Sequence, residues 1–176
     1  GLCGQGAATQ SFATGDVSGT ELVGGLCGVS YYITTSYASG RVKGEEDEIG
    51  GLSGRNEHEI TGSCAIGFVT GRFFVGGLCG KSKNDNPFIS PLISHCYATG
   101  RVRGTGILAG LCGINYGTIG HCYATGTVNG QEVVGGLCGS NGGAISGSYA
   151  TGSVIGETHV GGFCGYNSNG QISQCY

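Results

Sequence analysis

The sequence repeats itself about every 26 residues, and that period constrains the chain more than any single motif. The word Gly-Leu-Cys-Gly, or a close variant, begins at Gly1, Gly25, Gly51, Gly77, Gly110, Gly136 and Gly162, at spacings of 24, 26, 26, 33, 26 and 26 residues. A second word, Ser/Cys-Tyr-Ala-Thr-Gly or nearly so, starts at Ser11, Ser36, Cys96, Cys122 and Ser148. It has a degenerate copy at Ser63–Gly67 and a cut-off one at Cys175-Tyr176. Self-similarity at a fixed period of this length marks a stack of supersecondary units.

The units read as extended rather than helical. The chain has 40 glycines in 176 residues, and each would cost a helix about 1 kcal/mol against alanine. In the second word and the residues after it, Cys/Ser, Ala and Val share one parity, and Tyr, Thr and two variable positions share the other. The variable positions (Asp16, Arg41, Arg101 and Ser153 in one column, Ser18, Lys43, Arg103 and Asn129 in the next) are mostly polar and should face water. Ala and the valines Val17, Val42, Val69, Val102, Val128 and Val154 should face inward. A glycine follows at Gly19, Gly44, Gly71, Gly104, Gly130 and Gly156, which suits a corner needing positive φ or close backbone approach. The pattern predicts an all-β fold, a β-solenoid (parallel β-helix-like) of about seven coils spanning 1–176 as a single repeat domain. The 33-residue spacing implies a loop inserted at 81–91. Propeller blades need about 40 residues, which is too many.

The segment Asn115 to Gly139, with Asn115-Tyr116-Gly117-Thr118-Ile119, Cys122-Tyr123-Ala124-Thr125-Gly126 and Gly135-Gly136-Leu137-Cys138-Gly139, resembles the GLUG-motif family. The resemblance extends over almost the whole chain. It implies a secreted or surface-anchored β-solenoid repeat, of the kind found as stalk or spacer modules in adhesins and surface-displayed proteases. One departure is cysteine, where the family usually has valine, at Cys3, Cys27, Cys79, Cys112, Cys138 and Cys164.

Composition removes several alternatives. Glycine does not fall at every third position and there are only 2 prolines, so collagen is excluded. A net charge of −3 with 8 Lys and Arg argues against nucleic acid. No apolar run is long enough for a membrane span. The 10 cysteines suit an oxidising compartment, and none stands in a C-x-x-C pair. If both cysteine columns point inward, Cys79 with Cys96, Cys112 with Cys122 and Cys164 with Cys175 are candidate disulfides within single coils. The alternative is a ladder of buried free thiols. Cys3, Cys27 and Cys138 face serines, and Cys64 takes a tyrosine position.

The aromatic column Phe12, Tyr37, Tyr97, Tyr123, Tyr149 and Tyr176 is the candidate binding or assembly face if it points outward, and core if the strand bends. A parallel threonine column (Thr14, Thr99, Thr125, Thr151) is interrupted by Ser39 and Ile66, which makes ice binding a weak reading. Glu45-Glu46-Asp47-Glu48 lacks calcium-loop spacing and reads as a solvated turn, offset by Arg41 and Lys43. His95 and His121 occupy equivalent positions and should stack, without a third ligand for a metal. Asn56, Asn115, Asn141 and Asn167 should cap turns or form an amide ladder. No carboxylates pair across coils, so no catalytic residues, metal or cofactor are expected and the chain does not read as an enzyme. Neither end carries a recognisable cap. The expected role is an extracellular structural or adhesive subunit that self-associates into a filament, stalk or fibre; binding of surface glycans or host proteins is the alternative.

Overall fold

The computed structural model describes residues 1–176 as an all-β chain with no helix. It bears out the expected β-solenoid of about seven turns. The strands form four parallel sheets, one of 11 strands and three of 6. In the sixth turn, Cys138–Asn141 and Ala144–Ser146 lie on the long face, Tyr149–Ala150 on the second, Val154–Ile155 on the third and Val160–Gly161 on the fourth. Like residues stack on like: Cys112 on Cys138 on Cys164, Tyr97 on Tyr123 on Tyr149, Val102 on Val128 on Val154. One repeat makes one turn, with no cumulative slip.

The long face changes along the stack. It is one unbroken strand in the first three turns, at Cys3–Thr9, Cys27–Thr34 and Ser53–Thr61. In the fifth and sixth turns it breaks at Asn-x-Gly, where the amides of Gly117 and Gly143 donate to Asn115 Oδ1 and Asn141 Oδ1 at 3.1 and 3.3 Å. An asparagine that accepts from the backbone two residues on forms a local turn that competes with the ladder. In the fourth turn the break is residues 83–91, which leave the sheet between Cys79–Ser82 and Leu92–Ser94.

The parity predicted from sequence holds. Ala38, Ala65, Ala98 and Ala124, with Val42, Val69, Val102 and Val128, are buried, while Arg41, Lys43, Arg101 and Arg103 are exposed. The interior is divided in two. A larger column joins the long face to the second face through leucine, isoleucine, cysteine and alanine. A smaller one, of Val42, Ile49, Val69, Val75, Leu108 and their equivalents, lies between the third and fourth faces. The waist between them is where the double-glycine joint meets the alanine column. A β-carbon built on Gly51 or Gly110 would lie 2.9 or 2.8 Å from the Ala65 or Ala124 β-carbon, and 2.1 or 2.2 Å from a carbonyl oxygen of the next turn. Backbone fills the waist, and no side chain larger than alanine fits opposite it.

The corner glycines differ in part from expectation. Gly19, Gly44, Gly71, Gly104, Gly130 and Gly156 are not left-handed; they make room, as at Gly44, where a β-carbon would collide with Ile49. The left-handed corner lies elsewhere and recurs once per turn, at Gln10, Thr35, Gly62, His95, His121, Gly147 and Gln174. Only two of those seven are glycine.

Candidate functional site

The most continuous surface feature is the aromatic column on the second face. Tyr97, Tyr123, Tyr149 and Tyr176 form one stack with ring centroids 4.9, 5.1 and 5.2 Å apart and planes within 2 to 6°. Phe12 and Tyr37 form a second, at 5.4 Å. The rings point outward: Phe12, Tyr37 and Tyr176 are exposed and the others half-buried. In-register pairing at one ring per turn sets the spacing, because adjacent strands lie about 4.8 Å apart. Cys64 breaks the column, pairing in register with Tyr37 on one side and Tyr97 on the other. Contact with the Cys64 thiol, with smaller contributions from burial and Tyr123, pushes the Tyr97 phenol up to about 12.

This geometry restricts what the column can bind. Each internal ring has its faces against its neighbours, so edges and hydroxyls meet solvent. Sugars stack on ring faces, and here the faces are taken. Only the rings beside Cys64 and at the ends of the column have a face not covered by another ring. Offset stacking contributes about 0.5–1.5 kcal/mol per pair beyond area burial, so the column acts first as cohesion along the axis. Beside it, Thr14, Thr99, Thr125 and Thr151 are exposed, with Ser39 and Ile66 interrupting them.

The expected cysteine pairs are not joined. All ten cysteines are free thiols, including Cys79 and Cys96, Cys112 and Cys122, and Cys164 and Cys175. The physical reason is direction. The Cys79 thiol donates to the Lys81 carbonyl at 3.2 Å, and the Cys96 thiol to the Ser94 carbonyl at 3.1 Å. Leucine and isoleucine fill the core that the two columns share. Where two cysteine sulfurs do meet they belong to adjacent turns, as at Cys3 and Cys27, 2.7 Å apart.

The acidic corner also departs from expectation. Glu45 and Glu46 are exposed, but Glu48 is buried and left-handed, with φ of 59°. Its partners are not Arg41 and Lys43. Arg55 grips the Glu48 carboxylate through Nε and Nη2, the latter at 2.8 Å, and Lys81 Nζ lies 3.0 Å away. Lys81 also sits over the Phe74 ring at 5.4 Å. Burial alone would raise the Glu48 carboxyl, but the two cations outweigh it and hold it below the usual carboxylate value.

Of the four asparagines, Asn115 and Asn141 do both things expected of the column, while Asn167 closes the ladder and donates to the Gly170 carbonyl at 2.9 Å. Asn115 and Asn141 cap the turns described above, and their side-chain amides donate to the next asparagine Oδ1 at 2.9 Å. Asn56 sits between Ser30 and Ser82 instead, and its buried Oδ1 has no partner. His95 and His121 stack at 5.2 Å. No group of three or more His, Cys, Asp or Glu side chains lies close enough to hold a metal ion. The 83–91 loop is braced by Asn84 donating to the Glu57 carbonyl at 2.8 Å, and it holds Phe88 94% exposed.

No curated protein and no solved structure matches the chain. Residues 130–155 match the family model of the GLUG motif, and with strands on all four faces that motif is one complete turn of the solenoid.

Proposed function

We propose that the chain is an extracellular or cell-surface structural β-solenoid, a stiff stalk or fibre segment whose turns stack on further turns of the same kind. The observation that carries this reading is continuity: four parallel ladders run the length of the stack, shifting register only on the long face between the first three turns. The aromatic, cysteine and asparagine columns follow them, interrupted at Cys64, at Ser53 and at Ser82. A rod cross-linked along its axis by backbone hydrogen bonds on four faces resists bending and pulling, which is what a spacer requires. A turn laid on either edge continues every ladder, and at the first turn it would cover a depression of about 310 Å³ lined by Leu2, Cys3, Val17, Leu22 and Val23. Light scattering against concentration, with electron microscopy of the same samples, tests the self-stacking. Rods lengthening in whole multiples of one stack support it. A monomer at all concentrations overturns it.

A second reading, recognition of a partner, is favoured by one feature, the braced loop that presents Phe88. It predicts that surface binding to glycans or host proteins falls at least tenfold in Phe88→Ser and is unaffected in Tyr123→Ala. Equal binding by both variants and the parent would sink it.

A further inference from the structure

Two columns of cysteine and serine run down the larger core, and their order decides which sulfurs can meet. The first reads Cys3, Cys27, Ser53, Cys79, Cys112, Cys138, Cys164, each in register with the next. Ser53 separates the first pair from a run of four, and a run of four divides into two pairs without remainder. Within that run the Cys112 thiol contacts Cys79, and the Cys138 thiol contacts Cys164. In the second column, the Cys96 amide reaches the Cys122 sulfur at 3.4 Å, and the Cys122 amide reaches Ser148 Oγ at 3.1 Å. Ser148 thus closes that pair off from Cys175. Neighbouring strands lie about 4.8 Å apart, within the roughly 4.4–6.8 Å that a disulfide spans between α-carbons.

We propose that under oxidising conditions these thiols close into disulfides along the solenoid axis, joining adjacent turns: Cys3 with Cys27, Cys79 with Cys112, Cys138 with Cys164, and Cys96 with Cys122. Cys64, on the outer face, and Cys175 stay free. Each bond forms as two thiols lose their hydrogens. Two electrons and two protons pass to a small-molecule disulfide such as oxidised glutathione, whose own sulfur–sulfur bond breaks to give two thiols. Axial bonds tie each turn to the next, which staples within single turns would not do. The pairing follows from the stack alone and holds whatever role the chain plays.

Order of closure follows from burial. Desolvation and the Cys3 thiol push Cys27 up to about 12, and contact with neighbouring thiols together with burial raises Cys96, Cys112 and Cys138. Such thiols carry little of the thiolate that reacts. Cys3 and Cys164 are only half-buried, so their pairs should close first in the folded chain. The two interior pairs close when turns open or during folding.

The test is oxidation in a glutathione redox buffer, once on the folded reduced chain and once during refolding from denaturant, read by intact mass and by peptide mapping. An aromatic residue lies between every two consecutive cysteines, so chymotryptic cleavage puts each on its own peptide. After oxidative refolding the mass should fall by about 8 Da, two hydrogens per bond, with only Cys64 and Cys175 open to alkylation. In the folded chain the Cys3–Cys27 and Cys138–Cys164 peptides should appear first. Cross-links of Cys79 with Cys96, Cys112 with Cys122 or Cys164 with Cys175, a Cys112–Cys138 link, or alkylation of all ten cysteines would each overturn the assignment. Should refolding fail, the folded-chain map stands alone, and Cys138→Ser, which places serine where Ser53 already stands in this column, should free Cys164 and leave Cys79–Cys112 intact.

Discussion

Glu48 keeps a carboxylate inside the stack only because Arg55 and Lys81 both face it. Removing one partner of a buried pair costs about 3–5 kcal/mol. Both cations here are partly solvated, so Glu48→Gln should cost about 2 kcal/mol at neutral pH. The folded carboxyl lies below its unfolded value. Its contribution is therefore complete above the ordinary carboxylate pKa, about 4.3, and is lost as pH falls through the folded value. The Tm gap between parent and Glu48→Gln should be widest near neutrality and close in acid; a gap constant with pH would show that the charge has no part in it. A second residue-scale cost sits at Thr35, a β-branched side chain held at φ of 49°. Glycine already occupies that corner at Gly62 and Gly147, and Thr35→Gly should raise stability by about 1 kcal/mol in denaturant melts. Neither site was legible in the local sequence. Four consecutive acids look like a solvated turn; only the column, which holds Leu22 and Phe74 at the same corner, shows Glu48 in an apolar position. The left-handed corner hid because a search for glycine passes over histidine, glutamine and threonine.

At the scale of the strand, side-chain alternation settled more. The inward valines and alanines, the outward arginines and the parallel stacking all follow from parity and period. What parity leaves open is direction within the interior, because an inward side chain can reach across the turn or along the axis. Cys79 and Cys96 are both inward, yet each leans toward its own strand's carbonyl and the neighbouring turn. The waist was likewise visible as paired glycines, but its purpose depends on the alanine opposite. Adding a methyl at Gly110 puts it 2.2 Å from the Gly136 carbonyl, a backbone atom that two ladders hold in place. Overpacking of a core costs about 1–3 kcal/mol and sometimes more, and Gly110→Ala should lie at the upper end, about 3 kcal/mol. Ala124→Val presses on the same waist from the other side and should lose a similar amount by chemical denaturation. A loss confined to one of the two would mean that the waist relaxes.

For the whole molecule, the glycines give a way to separate folding from association. The Gly40, Gly67 and Gly100 positions face the preceding turn, and a β-carbon on any of them would lie 1.9–2.0 Å from a carbonyl oxygen there. Gly15 is the same position in the first turn, where a β-carbon meets nothing within 4 Å. The joint glycines Gly25 through Gly136 face the following turn in the same way, and Gly162 likewise meets nothing. Gly15→Ala and Gly162→Ala should therefore melt within about 0.5 kcal/mol of the parent, while Gly100→Ala, inside the stack, should be strongly destabilised. A turn arriving on either open edge would place its carbonyl against the new methyl, as every internal turn does. If the chains stack end to end, each variant blocks one edge, and a mixture of the two stops at a dimer joined through the unblocked edges. Sedimentation that shows the same long species for parent and both variants would rule out in-register stacking and leave only a lateral contact, through the outward tyrosine column, to hold copies together.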